Sequence, residues 1–570
     1  MNAYTWGILA SLAIYLAVGT WAGRRVRHLD DYFVAGRQAS TLLIVGTLVA
    51  GLLSTTAFLG ETGMAYSGYG PLVLILVAIN VVGYVVGALF FGRHLRRSRA
   101  LTVAEYFGNR FASRRVRTAA GIMVVVGLGA YLVSVTQGTA LVVAQVSDVP
   151  YRPALLAVWA GYTAFTLYSG SRGVVINDTL MFALFMVGGF VAFGYVIGSV
   201  GGWSSSVESL ANFQDKPGII SWHGMTGAGA TWATPAEAVT WAVILGVAWA
   251  VVIAVSPWQA SRYLMAKNEH VVIRAGCGAG AALLLLYPAL MFCGAAINLA
   301  NPRIEPAEGA MIWAAQNLMP LAAGVAVMAG VAAAGLSSAT TFLSLVAFSA
   351  SHDIQPREGA AESTRLRVSR WSMLAVGLVA LLVALVVPPN IFWITYFAAT
   401  VFASSWGPVA FMSVWSRRIT EAGAFWGMVA GFLGNVVPKA LALGELIVLP
   451  VWADPILIGA AIGAAVTIAV SLYGSVTAAE HAYREFLHVT PPDELDERET
   501  RRTLRWPAIL IAGGVLLGAL MIFYYALPFR RASAAETAVL ASGELWLSIG
   551  CAAVLIACGL LTRWGVKRGL

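Results

Sequence analysis

The chain has 570 residues, of which 59% are hydrophobic and only 11% charged, so it lacks the polar surface that a water-soluble protein of this size requires. It reads as a polytopic membrane protein. Its formal net charge of +9 does not point to nucleic acid, because the basic residues sit in short clusters between apolar spans rather than on one surface. The four cysteines, Cys277, Cys293, Cys551 and Cys558, lie inside apolar segments without metal-ligand spacing and read as small core residues.

Fifteen apolar segments reach the roughly 20 residues that cross a bilayer: near 4–23, 41–62, 71–92, 116–147, 151–170, 174–200, 236–258, 270–300, 319–350, 369–387, 390–414, 420–443, 455–474, 506–527 and 544–562. All lysines and arginines except Arg152, Lys216, Arg303, Lys439, Arg530 and Arg531 fall in alternate connections, which the positive-inside rule makes cytoplasmic. The amino end is therefore expected outside and the carboxyl end inside. No positive charge precedes the first apolar run, so that span is expected to be retained.

The first span ends at Arg24, Arg25 and Arg27. The second, TLLIVGTLVAGLLSTTAFLGETG, carries Gly46, Gly51 and then Ser54-Thr55-Thr56. Glycine and hydroxylated residues weaken a helix interior, which predicts a break there. Carbonyls freed at membrane depth are tolerated only where they line a cavity or meet a ligand. The same glycines would also suit close contact with a neighbouring helix. The basic loop 93–117 reads as an orientation signal or an anionic-lipid contact. Tyr131, Ser134, Thr136 and Gln137 lie near the middle of the fourth span, and a glutamine there needs either a helix or a solute as partner.

Asp178 lies about one turn into the sixth span. An ionisable group at that depth is a functional candidate, unless it pairs with Arg172 or reaches water. The long loop 201–235 carries Trp203, Trp222 and Trp232, which suit an interface. The seventh span has Gly246 in its middle and Pro257 near its inner end, with Trp241 and Trp249 either lining a cavity or packing.

The ninth span, VAAAGLSSATTFLSLVAFSASHDI at 331–354, is apolar yet carries a ladder of hydroxyls. Ala334, Ser337, Ser338 and Thr341 share one helical face, and Ser337, Thr340, Thr341 and Ser344 a neighbouring one. Such a helix suits one hard cation or two adjacent ones, since Na+ prefers oxygen ligands. The row Gly330, Ala334, Ser338 equally suits close helix packing. Beyond it come a tight outer turn at Pro388-Pro389-Asn390, the pair Ser404-Ser405, and a mixed-charge cytoplasmic loop at 475–505, expected to hold a surface helix and then a flexible stretch.

Leaving aside residues 1–40, five spans (41–200) and five more (236–414) flank the external loop 201–235, and residues 415–570 add further spans. An odd number of crossings in the first half inverts the second, the arrangement of inverted-repeat transporters.

Four stretches together resemble the sodium:solute symporter family: DDYFVAGRQ at 30–38, GTLVAGLLST at 46–55, GSRGVVINDTLM at 170–181 and AAAGLSSATTFLSLVAFSASHDI at 332–354. The resemblance implies an all-α, leucine-transporter-like 5+5 inverted repeat, with one extra helix before it and about four after it. It implies Na+ as coupling ion, held by carbonyls of Ala50, Leu53 and Ala334 and hydroxyls of Ser337 and Ser338. A second sodium site, present in some members, would take Asp178, Ser337, Thr340 and Thr341. Met181 departs from the glutamine common at that position. For the solute the matches are Ser54, with Thr55 and Thr56 beside it, and Trp249, with Gln137 added from its depth. Ile253 replaces a tyrosine of the proline carriers, so proline is not supported.

The function expected is sodium-coupled import of a small polar organic solute across a bacterial inner membrane by alternating access. The alternative is a transporter-like sensor that signals to a partner. With no nucleophile–base or metal cluster in the spans, an enzyme is not expected.

Overall fold

In the computed structural model, residues 2–24, 28–355, 359, 361–533 and 542–569 are described, and every regular element among them is helical. Thirteen of these helices are long and apolar enough to cross a membrane, against fifteen segments expected. The difference has two sources. The second expected span is divided into Thr41–Leu52, too short to cross alone, and a part that joins the run Thr56–Ser98. The fifth and sixth fall in one helical stretch, of which Ser171–Ser199 alone qualifies.

The elements around the site are α1 (Ala3–Gly23), α2 (Thr41–Leu52), α3 (Gly70–Gly87), α4 (Arg114–Ser147), α5 (Tyr151–Ser199), α6 (Pro235–Val255), α7 (Pro257–Met265), α8 (Glu269–Ala300), α9 (Leu321–Phe348), α10 (Glu362–Val386) and α11 (Ile391–Ser405). Their ends follow the sequence. Asn2, Ser113, Thr234, Asn268 and Asn390 each accept a hydrogen bond from an amide of the turn they open, which satisfies a donor the helix leaves bare. Proline opens α7, where its missing N–H costs nothing.

α5 is not one straight rod. A side chain on Gly161 would lie 3.8 Å from Leu336, and Asp178 bonds the adjacent Ser337, whereas 17 residues of straight helix span about 25 Å. The stretch therefore doubles back between residues 161 and 178.

Both halves begin with an interrupted helix, and neither break falls on the glycines marked in the sequence. The first lies at Leu53-Ser54 and the second at Ser256. The glycines serve packing instead. A Cβ on Gly46 would stand 2.7 Å from the Thr179 backbone, and one on Gly246 2.9 Å from Ile79.

The later spans form two pairs against this core. Glu421–Leu443 and Pro455–Leu472 pack on α11, where Tyr396 donates to Asp454 at 2.7 Å. Arg505–Met521 and Gly543–Lys567 pack on α8 and α3. The charged loop 475–505 is more ordered than expected. Its helix Ala478–His488 opens with a capping box of Thr477 and Glu480 and is fixed by Arg97 to the Leu487 carbonyl (2.9 Å) and by His488 to that of Val414 (2.9 Å). A second helix, Glu497–Thr503, follows and is anchored by Arg274 to Glu499.

On the face predicted to be external, Lys216 donates to the Tyr66 carbonyl (2.9 Å) and to Asn298 Oδ1 (2.6 Å). Burial lowers its pKa to about 8, against the opposing pull of Asp215. A folded pKa below the unfolded value of roughly 10.4 means that the undocked loop binds more protons across that window, so docking strengthens as pH rises from about 8. Amide exchange around residues 215–221, corrected for base catalysis, should slow over that range in the native chain and lose this dependence in Lys216→Met.

Candidate ion and solute site

The break in the second span frees two backbone carbonyls. The Ser54 amide bonds the Leu52 carbonyl (2.9 Å) rather than that of Ala50, and the Ala57 amide bonds Ser54 (3.1 Å) rather than Leu53. Ala50 and Leu53 thus keep carbonyl oxygens that the amides four residues on do not use. Residues on either side of the break touch the hydroxyl helix. Thr47 meets Ser337 through a shared carboxylate, and a side chain on Gly335 would stand 2.9 Å from the Thr55 methyl.

On α9 the Ser338 hydroxyl is buried and has no hydrogen-bond partner among the described residues. A bare buried hydroxyl costs about 1–3 kcal/mol unless something else takes it up. α9 runs unbroken through Ala334, whose carbonyl still offers a second lone pair. The carbonyl oxygens of Ala50, Leu53 and Ala334 and the hydroxyls of Ser337 and Ser338 are neutral donors of the type a hard monovalent cation prefers. The approach of the helices depends on Gly335, where a Cβ would lie 1.8 Å from Thr139 Oγ1. Gly335→Ala should cost about 1–3 kcal/mol by overpacking, read as a lower melting temperature of the purified protein and a weaker thermal response to sodium.

Asp178 is the junction of four elements. Its Oδ1 accepts from the Ser337 hydroxyl and its Oδ2 from Thr47. Arg262 of α7 reaches the same Oδ2 at 3.2 Å and also donates to Thr341 Oγ1 at 2.8 Å. Both charged side chains are 2% exposed, so the ion pair is fully buried. The alternative partner Arg172 pairs with Asp31 instead (3.6 Å).

This geometry alters the picture of a second sodium site. A guanidinium stands between Asp178 and Thr341, where the sequence placed another cation. Thr340 faces elsewhere, donating to the Ser337 carbonyl (2.7 Å) and accepting from Tyr15 of α1 (3.2 Å).

The solute candidates divide. Ser54, Thr55 and Thr56 stand at the break. Ser54 Oγ accepts from the Thr56 amide (3.2 Å), Thr56 meets Thr395 (3.4 Å), and the Thr55 hydroxyl is buried without a partner. Trp249 belongs to an aromatic cluster that leads to them, with Trp258 at 6.4 Å and Tyr131 at 5.5 Å from Trp258. Gln137 lies outside this group. Its amide donates to the carbonyls of Val387 (2.7 Å) and Ala384 (3.3 Å), holding α4 to the end of α10. Ser404 and Ser405 likewise spend their hydroxyls on carbonyls of their own helix.

The family model of the Sodium:solute symporter family matches residues 32–431. The chain belongs to the sodium:solute symporter family. The sodium/proline symporter of Escherichia coli is 24% identical over 527 residues, covering 86% of this chain and 99% of that one. The E. coli sodium/pantothenate symporter is 27% identical over 210 residues, 36% of this chain and 43% of its own length, so that match spans less than half of the relative. A solved Na+-coupled sialic acid symporter, in its substrate-bound outward-open state, superposes with a TM-score of 0.70 at 16% identity, covering 83% of this chain and 99% of that one. The fold is the leucine-transporter-like inverted repeat, and the activity is sodium-coupled symport.

Three residues of this symporter's polar interior escaped the sequence: Arg262, Thr47 and Glu61. Arg262 counted as one more cytoplasmic arginine because the seventh span was taken to end near 258. The break at Ser256-Pro257 instead turns α7 inward, and all nine of its residues are buried. Its far end is tied to the loop after the first helix, with the Ala39 amide bonding the Met265 carbonyl (3.0 Å) and Lys267 bonding that of Ala39 (3.0 Å).

Proposed function

We propose that the chain couples one sodium ion, entering down its gradient, to the import of a small polar organic solute across a bacterial inner membrane. The observation that carries this reading is the pair of released carbonyls at Ala50 and Leu53 together with the buried, unpartnered hydroxyl of Ser338 on the helix that packs against that break. Sodium held there ties α2 to α9 and so orders the segment Ser54-Thr55-Thr56 for solute. Rocking of one bundle against the other then exposes the site to the opposite side. A coupling ratio of one is supported by Arg262, which already supplies a positive charge to Asp178. The lysine and arginine asymmetry supports an amino end outside and a carboxyl end in the cytoplasm.

Reconstitution into liposomes with labelled acids, amino acids and sugars tests this reading. An inward sodium gradient should drive accumulation of one class, with a reversal potential that gives one sodium per solute. Solute binding without accumulation would overturn it in favour of a sensor.

A further inference from the structure

Glu61 closes the segment Thr56–Glu61, two turns beyond the break. Its Oε2 is shut off from the surface and accepts no hydrogen bond. Among the described residues no arginine, lysine or histidine bears on the carboxyl; its neighbour is the Tyr287 hydroxyl of α8. Tyr131 of α4 lies within its field and its hydroxyl is close to Ser54 and Thr56, so this one ring links the carboxyl to the expected solute segment. A side chain on Gly60, the residue before Glu61, would meet the Phe392 Cβ at 3.7 Å, and Tyr131 is stacked on Phe342 at 4.3 Å and edge-on to Trp258 at 5.5 Å.

A carboxylate at membrane depth is expensive unless a countercharge meets it. Asp178 has its countercharge within the chain; Glu61 has none among the described residues. A carboxylate bounded by aromatic rings is the recognition chemistry of an organic ammonium, which gains from both the charge and the ring faces.

We propose that Glu61, with Tyr131 and Tyr287, selects a solute that carries an ammonium centre, the cargo supplying the positive charge that Glu61 lacks. This rests on the reading of the chain as a sodium-coupled importer and narrows its substrate class. The hydroxyls of Thr55 and Thr56 then meet the remaining polar end of the solute.

The test uses the full chain in proteoliposomes with solute pairs that differ only in an amine: alanine against lactate, and 4-aminobutyrate against 4-hydroxybutyrate. Sodium-driven uptake should favour the amine of at least one pair by about a hundredfold or more, the scale of a lost buried charge partner. Glu61→Gln should erase that preference while leaving the thermal response to sodium intact, and Glu61→Asp should keep part of it. Equal or better uptake of the hydroxy acids, or amine uptake unchanged in Glu61→Gln, would overturn the proposal. So would a variant that keeps its solute preference but loses a coupled proton current measured with an internal pH dye. Should the native chain show neither sodium-driven uptake nor a sodium thermal response, the importer reading itself fails, and this proposal with it.

Discussion

Ser338→Ala should weaken the response of transport to sodium with little cost to the fold. Its hydroxyl makes no hydrogen bond among the described residues, so its removal takes nothing from the packing and deletes one oxygen from the proposed ion shell. Loss of a ligand should raise the sodium concentration for half-maximal uptake by tenfold or more, since even outer-shell changes cost roughly 10–100-fold in ion affinity. Ser337→Ala is a harsher change because that hydroxyl also donates to Asp178. The double variant should show no sodium-stimulated uptake at equal expression. Sodium titrations of both uptake and melting temperature separate the cases: Ser338→Ala should melt near the native temperature without sodium, and Ser337→Ala below it. Undiminished uptake in the double variant would remove these residues from the ion path.

Arg262→Met is expected to be the most damaging single change to stability. It strands the Asp178 carboxylate with two hydroxyls and no cation, and breaking one side of a buried pair costs about 3–5 kcal/mol. Asp178→Asn with Arg262→Met should recover much of that loss, because two neutral groups need no countercharge. If the double variant is no more stable than Arg262→Met, the pair does not act as a unit. Sodium also provides a readout that packing alone would not move. With the guanidinium gone, the lone Asp178 carboxylate should attract a second sodium, so the coupling ratio in Arg262→Met should rise from one toward two.

What the sequence disclosed and what it concealed have the same cause. The hydroxyl ladder of 331–354 was visible because an apolar helix has no reason to carry so many oxygens on adjacent faces. The break at Leu53-Ser54 was foreseen within a few residues, but its glycines misled, since Gly46 is small to admit Thr179. Gln137 read as a solute contact from depth alone; its bonds go to α10, a partner no local pattern announces. Glu61 was hidden by where the span was taken to end. A crossing that finishes at 62 puts it at the water interface, whereas the helical run beyond the break continues through Tyr69 and leaves it within the run. Arg262 was obscured in the same way by the turn at Ser256.

The first helix lies outside the repeated ten, yet it is fastened along much of its length. Asn2 donates to the Val146 carbonyl (2.7 Å), Tyr4 to that of Ala315 (3.0 Å), and Tyr15 to Leu336 (3.2 Å) and Thr340 (3.2 Å). Val325 of α9 occupies the space where Gly7 lacks a side chain. α1 and α9 therefore behave as a single girder, with Ser337 and Ser338 on one flank and the leading helix bolted to the other. Any swing between open faces has to pivot at the interrupted segments, Leu53-Ser54 and Ser256, and the leading helix serves as the fixed frame against which that swing is made.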